Sequence, residues 1–157
     1  MTMNLYWGDL HYHTEVGYAQ GSLRRSFEVA QEHLDFVAHT GHSQCPDMPE
    51  MPQGRHMKWV KGFEVMRENW DNVVNITREF YKPSKLVTFL GYEWHHSHYG
   101  DYHLLYPKEE GELLYHDEVS ELQQHAKRTG AILIPHHVAY ATDWRGFNWK
   151  HFDPEVS

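Results

Sequence analysis

A chain of 157 residues suits one domain around a single core, and an aliphatic and aromatic share of 40% is enough to build that core. A formal net charge of −8, with no block of Lys or Arg, argues against a nucleic-acid surface, and no apolar run approaches the roughly 20 residues that cross a bilayer. The single cysteine, Cys45, excludes an internal disulfide framework. Together with a start that shows no basic stretch followed by an apolar core, it makes the cytoplasm the expected location.

In chain order, Leu5 to His13 reads as a first strand. Ser22 is placed to cap a helix through Leu34, with Leu23, Phe27, Ala30 and Leu34 on one face. Asp35 to Thr40 reads as a short buried strand that runs into Gly41-His42-Ser43. The following loop, Cys45 to Gln53, has prolines at 46, 49 and 52, which exclude a helix or central strand. Trp59, Phe63, Met66, Trp70, Val73 and Phe80 recur close to the helical period, predicting one long helix from about His56 to Tyr81 that Pro83 stops. Lys85 to Trp94 and Asp101 to Tyr106 read as strands. Asp117 begins a helix to Arg128 that ends at Gly130, and Ala131 to Pro135 is a last strand running into His136-His137. Strands alternating with helices predict an α/β fold, a single domain over 1–157, with mainly parallel strands and its chemistry at their C-terminal ends.

The unusual feature is histidine, of which there are 15, one more than Lys and Arg combined. The histidines do not form a tag-like run but recur in short groups where strands end. His11 and His13, two apart on an extended segment, point to one side and can share a cation, with Asp9 beside them to orient a ring. His39 and His42 flank a turn. Glu93 closes the most strand-like run, where a carboxylate costs solvation unless a cation or hydrogen bonds compensate. His95, His96 and His98 follow it and outnumber what one site needs, so replacing His95 is expected to matter little. His103 and the pair His136-His137 complete five groups. Any one group alone reads equally well as surface histidine. Five together at strand ends point to a metal site.

These groups resemble the motifs of the PHP (polymerase-and-histidinol-phosphatase) superfamily. Asp9-Leu10-His11-Tyr12-His13-Thr14 is similar to its opening Asp-Leu-His-x-His-[Ser/Thr]. Ala38-His39-Thr40-Gly41-His42 is similar to its second motif, with Gly41 where an aspartate is usual. Glu93, His103 and His136 follow in the family's order, and Ala19 stands where some members carry a further histidine. The resemblance implies a distorted (β/α)7 TIM-like barrel with two or three divalent metals. His11 and His13 would hold one, Glu93 would bridge to a second held by His103 and His136, and His42 would belong to a third position. The family's closing Asp-x-His is not found after His136. The barrel is therefore expected to be incomplete here, its closing strands supplied by a further segment or a second chain.

The expected activity is metal-assisted hydrolysis of a phosphorylated small molecule, with zinc, manganese or iron as the cation and no nucleic-acid or membrane partner. His42 or His98 would protonate the leaving group, and Arg55 or Arg145 would clamp phosphate. The aromatic residues around 92 to 102 and 140 to 149 are either pocket wall or core. Two alternatives stand beside this reading. One is an amidohydrolase-type enzyme cleaving C–N or C–O bonds, which typically bridges its metals with a modified lysine. The other is a metal-binding regulatory module without catalysis.

Overall fold

A computed structural model describes residues 3–142 and 144–157. The chain order is β1 (Gly8–Asp9), α1 (Leu23–His33), β2 (Phe36–His39), β3 (His42–Gln44), α2 (Met57–Glu68), α3 (Trp70–Phe80), β4 (Val87–Trp94), β5 (Asp101–Leu105), α4 (Val119–Thr129) and β6 (Ile132–His136). The strands form one six-stranded sheet in the order β1-β2-β4-β5-β6, with β3 also pairing β4. The pairings from β1 to β4 are parallel, and those of β4 with β5 and of β5 with β6 are antiparallel.

This overturns the expected (β/α)7 barrel. The described residues build an α/β half-barrel on a mixed sheet, with α1, α2 and α3 against its parallel part and α4 against β6. The reason lies in one connection. Only residues 95–100 join β4 to β5, whereas a parallel crossover takes about a dozen residues or more. The chain must double back, and β5 lies antiparallel. β6 then pairs with β5 alone, a position at the sheet edge where Pro135 removes no ladder bond.

Two further departures follow from side chains that compete with the backbone ladder. The first strand is short because Asp9 Oδ1 accepts the His11 backbone N–H at 2.9 Å, turning the chain out of the ladder. The predicted helix over 56–81 is two helices. At Asn69 (φ −107°, ψ 10°) both the backbone N–H and the side-chain amide donate to the Val65 carbonyl, ending α2. The break lets α2 pack on β3 and α3 pack on β4. α1 starts at the predicted Ser22 cap, and α4 is capped by Glu118, one residue after the predicted Asp117.

The core is one contiguous cluster that includes Leu23, Phe27, Met66, Val73, Leu90, Leu104, Leu122 and Leu133. Tyr92, Trp94 and Tyr102 belong to it and are almost completely buried, so this first aromatic group is core. No helix among the described residues is long and apolar enough to cross a membrane.

Candidate metal centre

Sheet register assembles the site. Glu93 on β4 is paired with His42 on β3 and with His103 on β5. Cross-strand partners point to the same face, so three ligand-type side chains stand in one row. One step along, Asp101 on β5 is paired with His136 on β6. His95 lies two residues beyond Glu93, and Asp101 two before His103, which keeps each on the face of its neighbour. His11 and His13 arrive from the irregular segment after β1. The turn at Asp9 carries them over the sheet end, where the His11 ring stacks on His103 at 4.2 Å between centroids and the His13 ring on His42 at 4.2 Å.

Three groups result, and each has its ligand atoms within 4.8 Å of one another: His11, Glu93, His103 and His136; His13, His42 and Glu93; and Glu93, Asp101 and His137. Glu93 is common to all three, and both it and Asp101 are 0% exposed. Among the described residues, neither carboxylate oxygen of Glu93 has a hydrogen-bond partner, and neither do His42 Nε2, His103 Nε2 or Asp101 Oδ1. Glu93 Oε2 lies 3.4 Å from His13 Nε2 and 3.6 Å from His42 Nε2. Glu93 Oε1 lies 3.5 Å from His95 Nδ1 and 3.7 Å from His136 Nε2. These separations are long for hydrogen bonds, which run about 2.7–3.2 Å. They match two ligand atoms on one cation, which at bond lengths of about 2.1 Å and a tetrahedral angle lie roughly 3.4 Å apart. Orphaned buried carboxylate and imidazole atoms at this spacing can hold a metal ion, with one carboxylate oxygen facing each of two imidazole pairs.

Surrounding groups set the rings. His11 Nδ1 pairs with Thr40 Oγ1 at 2.9 Å, which leaves Nε2 for a cation. Asp9 touches the backbone of His11 rather than its ring. Thr14 Oγ1 meets His39 Nε2 at 3.2 Å, so buried His39 supports the site from behind. Gly41 is required by crowding, because a Cβ there would lie 2.8 Å from the His39 ring and 2.9 Å from Met66 Sδ. The aspartate expected from the PHP pattern has no room.

Burial tunes the charges. It pushes Glu93 up to about 7, with His95 opposing and Asp101 adding to the rise. It lowers His13 to about 4 and His136 to about 3, and holds His42 well below the ordinary imidazole value, each reinforced by neighbouring histidines. Burial would raise Asp101 too, but His95 at 3.1 Å and Arg145 at 2.6 Å outweigh it and keep its pKa below the usual carboxylate range. Near neutrality His13, His42 and His136 are therefore neutral and Asp101 is ionised, the forms that bind cations, while Glu93 is about half protonated. One proton, on Glu93, competes with metal below about pH 7. Affinity for zinc or manganese is expected to fall about 15-fold between pH 7 and 5.5, approaching tenfold per pH unit at the lower end. Calorimetric titration at both values checks this, and equal affinities would remove Glu93 from the ligand set.

Of the residues expected from sequence, the structure brings His11, His13, His42, Glu93, His103 and His136 together. His98 stands apart: it is exposed, and its ring lies against Tyr99 and His151. Arg55 is exposed at the start of α2, whereas Arg145 reaches the centre through Asp101. Two participants were not assigned, Asp101 and His95, and the pair His136-His137 contributes both of its rings, to different groups. The expectation that His95 matters little does not fit its position, since it is 2% exposed, stacked on His42 and in contact with both carboxylates. Residue alternation held the signal, because His95 follows Glu93 by two and Asp101 precedes His103 by two.

Residues 20–105, more than half of the chain, match the family described as "Protein of unknown function (DUF3604)". The chain belongs to the DUF3604 family. The DUF3604 match spans α1 to β5 and so contains His42, Glu93, His95, Asp101 and His103, whereas His11, His13, His136 and His137 lie outside it. A search of the curated proteins found no match.

Proposed function

We propose that this protein is a metal-dependent hydrolase acting on phosphoesters, with two or three divalent cations shared through Glu93. One observation carries the reading: a fully buried carboxylate whose two oxygens lack hydrogen bonds and face separate pairs of imidazoles. His11, His103 and His136 would hold one ion, His13 and His42 a second, and Asp101 and His137 a third position. Mixed imidazole and carboxylate donors suit zinc, manganese or iron. Bound there, such ions supply a water of lowered pKa and neutralise charge on the leaving oxygen. The order of the motifs, similar to that of PHP hydrolases, is in keeping with this chemistry.

The chain's own residues prepare the site. Thr40 Oγ1 holds the His11 ring through Nδ1, and the sheet register holds Glu93 between its imidazoles. Arg145 is held by Asp101 and keeps its guanidinium partly open, with donors to offer a phosphoryl oxygen. Of the two roles expected for His42, ligation fits better, because burial keeps it unprotonated near neutrality.

Side-chain exposure favours catalysis over a purely structural site. His13, His136 and His137 remain 23%, 22% and 23% exposed, whereas structural metal sites are closed and catalytic ones keep a position for water. Glu93, in the place of a bridging modified lysine, weighs against the amidohydrolase alternative. The test is to purify the protein, quantify its metals, and assay a chromogenic phosphomonoester and phosphodiester with and without manganese. Manganese-dependent turnover is the expected result. Full metal occupancy with no turnover of either ester would leave the non-catalytic module as the better reading.

A further inference from the structure

A cavity of about 210 Å³ opens beside the centre, between the proline-rich loop, α2 and the residues Tyr140, Trp144 and Arg145. At its inner end are His42, His95 and Arg145. Its remaining wall among the described residues is dominated by apolar side chains, chiefly Met48, Met51, Trp59, Phe63, Tyr140 and Trp144. Tyr140 and Trp144 are 51% and 64% exposed, so this part of the aromatic wall faces solvent. Tyr140 also stacks on His137 at 4.4 Å and 5°, which ties this wall to the third ligand group.

From this arrangement we infer the substrate class: an anionic ester whose esterified group is an apolar ring. The inference rests on the hydrolase reading. The charged head fits the polar end, where Arg145, His95 and the ligand His42 lie. The ring fits the apolar end, since an apolar cavity of about 150 Å³ already holds benzene. Sugar and nucleotide hydroxyls would find few partners on this wall, and burying them unpaired is unfavourable. The thioethers of Met48 and Met51 make a wall that adapts to aromatic ligands.

Binding can be measured without turnover. Calorimetry on the manganese-loaded full chain would compare phenylphosphonate with methylphosphonate, neither of which carries a hydrolysable ester. Phenylphosphonate is expected to bind about 30-fold more tightly, as burial of one ring implies. Trp144→Ala, at an exposed position, and Met51→Ala should each shrink that ratio while bound manganese stays unchanged. Equal affinity of the two phosphonates, or no binding of either, would overturn the inference. A parallel assay of phenyl phosphate and glycerol phosphate separates the two claims. Selective phenylphosphonate binding with no turnover of any ester defeats the hydrolase reading alone, and equal turnover of the two esters without binding selectivity defeats the substrate class alone.

Discussion

Glu93→Gln is expected to abolish tight metal binding at all three ligand groups together. No other side chain belongs to all three. An amide of the same shape keeps the volume but loses the charge and the second acceptor oxygen that bridging needs. Its effect on the metal-free fold should be opposite in sign. Glu93 has its pKa raised by burial to about 7 from an ordinary 4.5. Its contribution to folding is thus fully present below about pH 4.5 and is lost as pH rises through 7, reaching roughly 3 kcal/mol of cost at pH 8. The imidazoles act in reverse. Their lowered values make their contribution complete above about 6.5 and lost progressively as pH falls toward 4 and below. At pH 8, metal-free Glu93→Gln should therefore melt no lower than metal-free wild type. Wild type should gain about 2.7 kcal/mol per ion at a free metal concentration of 100 times Kd, and the variant should gain nothing. Melting curves with and without manganese read both effects. A metal-induced shift that survives in the variant contradicts the bridging role.

The second large effect is expected from His11→Ala combined with His13→Ala. These neighbours in sequence serve different groups, His11 with His103 and His136, and His13 with His42. Their joint loss should therefore weaken two ions, each by more than the roughly 10–100-fold that loss of an outer-shell partner costs. The group of Glu93, Asp101 and His137 keeps all its ligands and should retain any ion it holds. Both residues lie on an irregular segment outside the hydrophobic cluster, so the variant should stay folded and soluble. Elemental analysis after dialysis gives the number of ions retained. Unchanged content would mean that His11 and His13 are ordinary surface histidines.

Much of this site was legible in sequence because sheet geometry is periodic. A histidine or glutamate at the end of an apolar run points to a definite face, and Glu93, His103 and His136 sit on strands whose limits the apolar pattern marks well. The helix over 23–33 was legible for the same reason, with a serine cap and a clear stripe. What the pattern cannot carry is competition from single polar side chains. Asn69 bonds back to Val65 and divides one apparent helix into two without disturbing its hydrophobic period. Asp9 ends the first strand early through its bond to His11. The barrel expectation failed at strand direction, although the shortness of the segment between Trp94 and Asp101 already required a reversal. His95 and Asp101 were passed over because the crowd of histidines at 95–98 hid the two-residue alternation that singles them out.

Anomalous diffraction from crystals of the manganese- or zinc-loaded protein tests the metal assignment most directly. The expected result is at least two peaks, each within bonding distance of a different Glu93 oxygen and of imidazoles from its own group. Peaks confined to surface histidines, or none near Glu93, would contradict it.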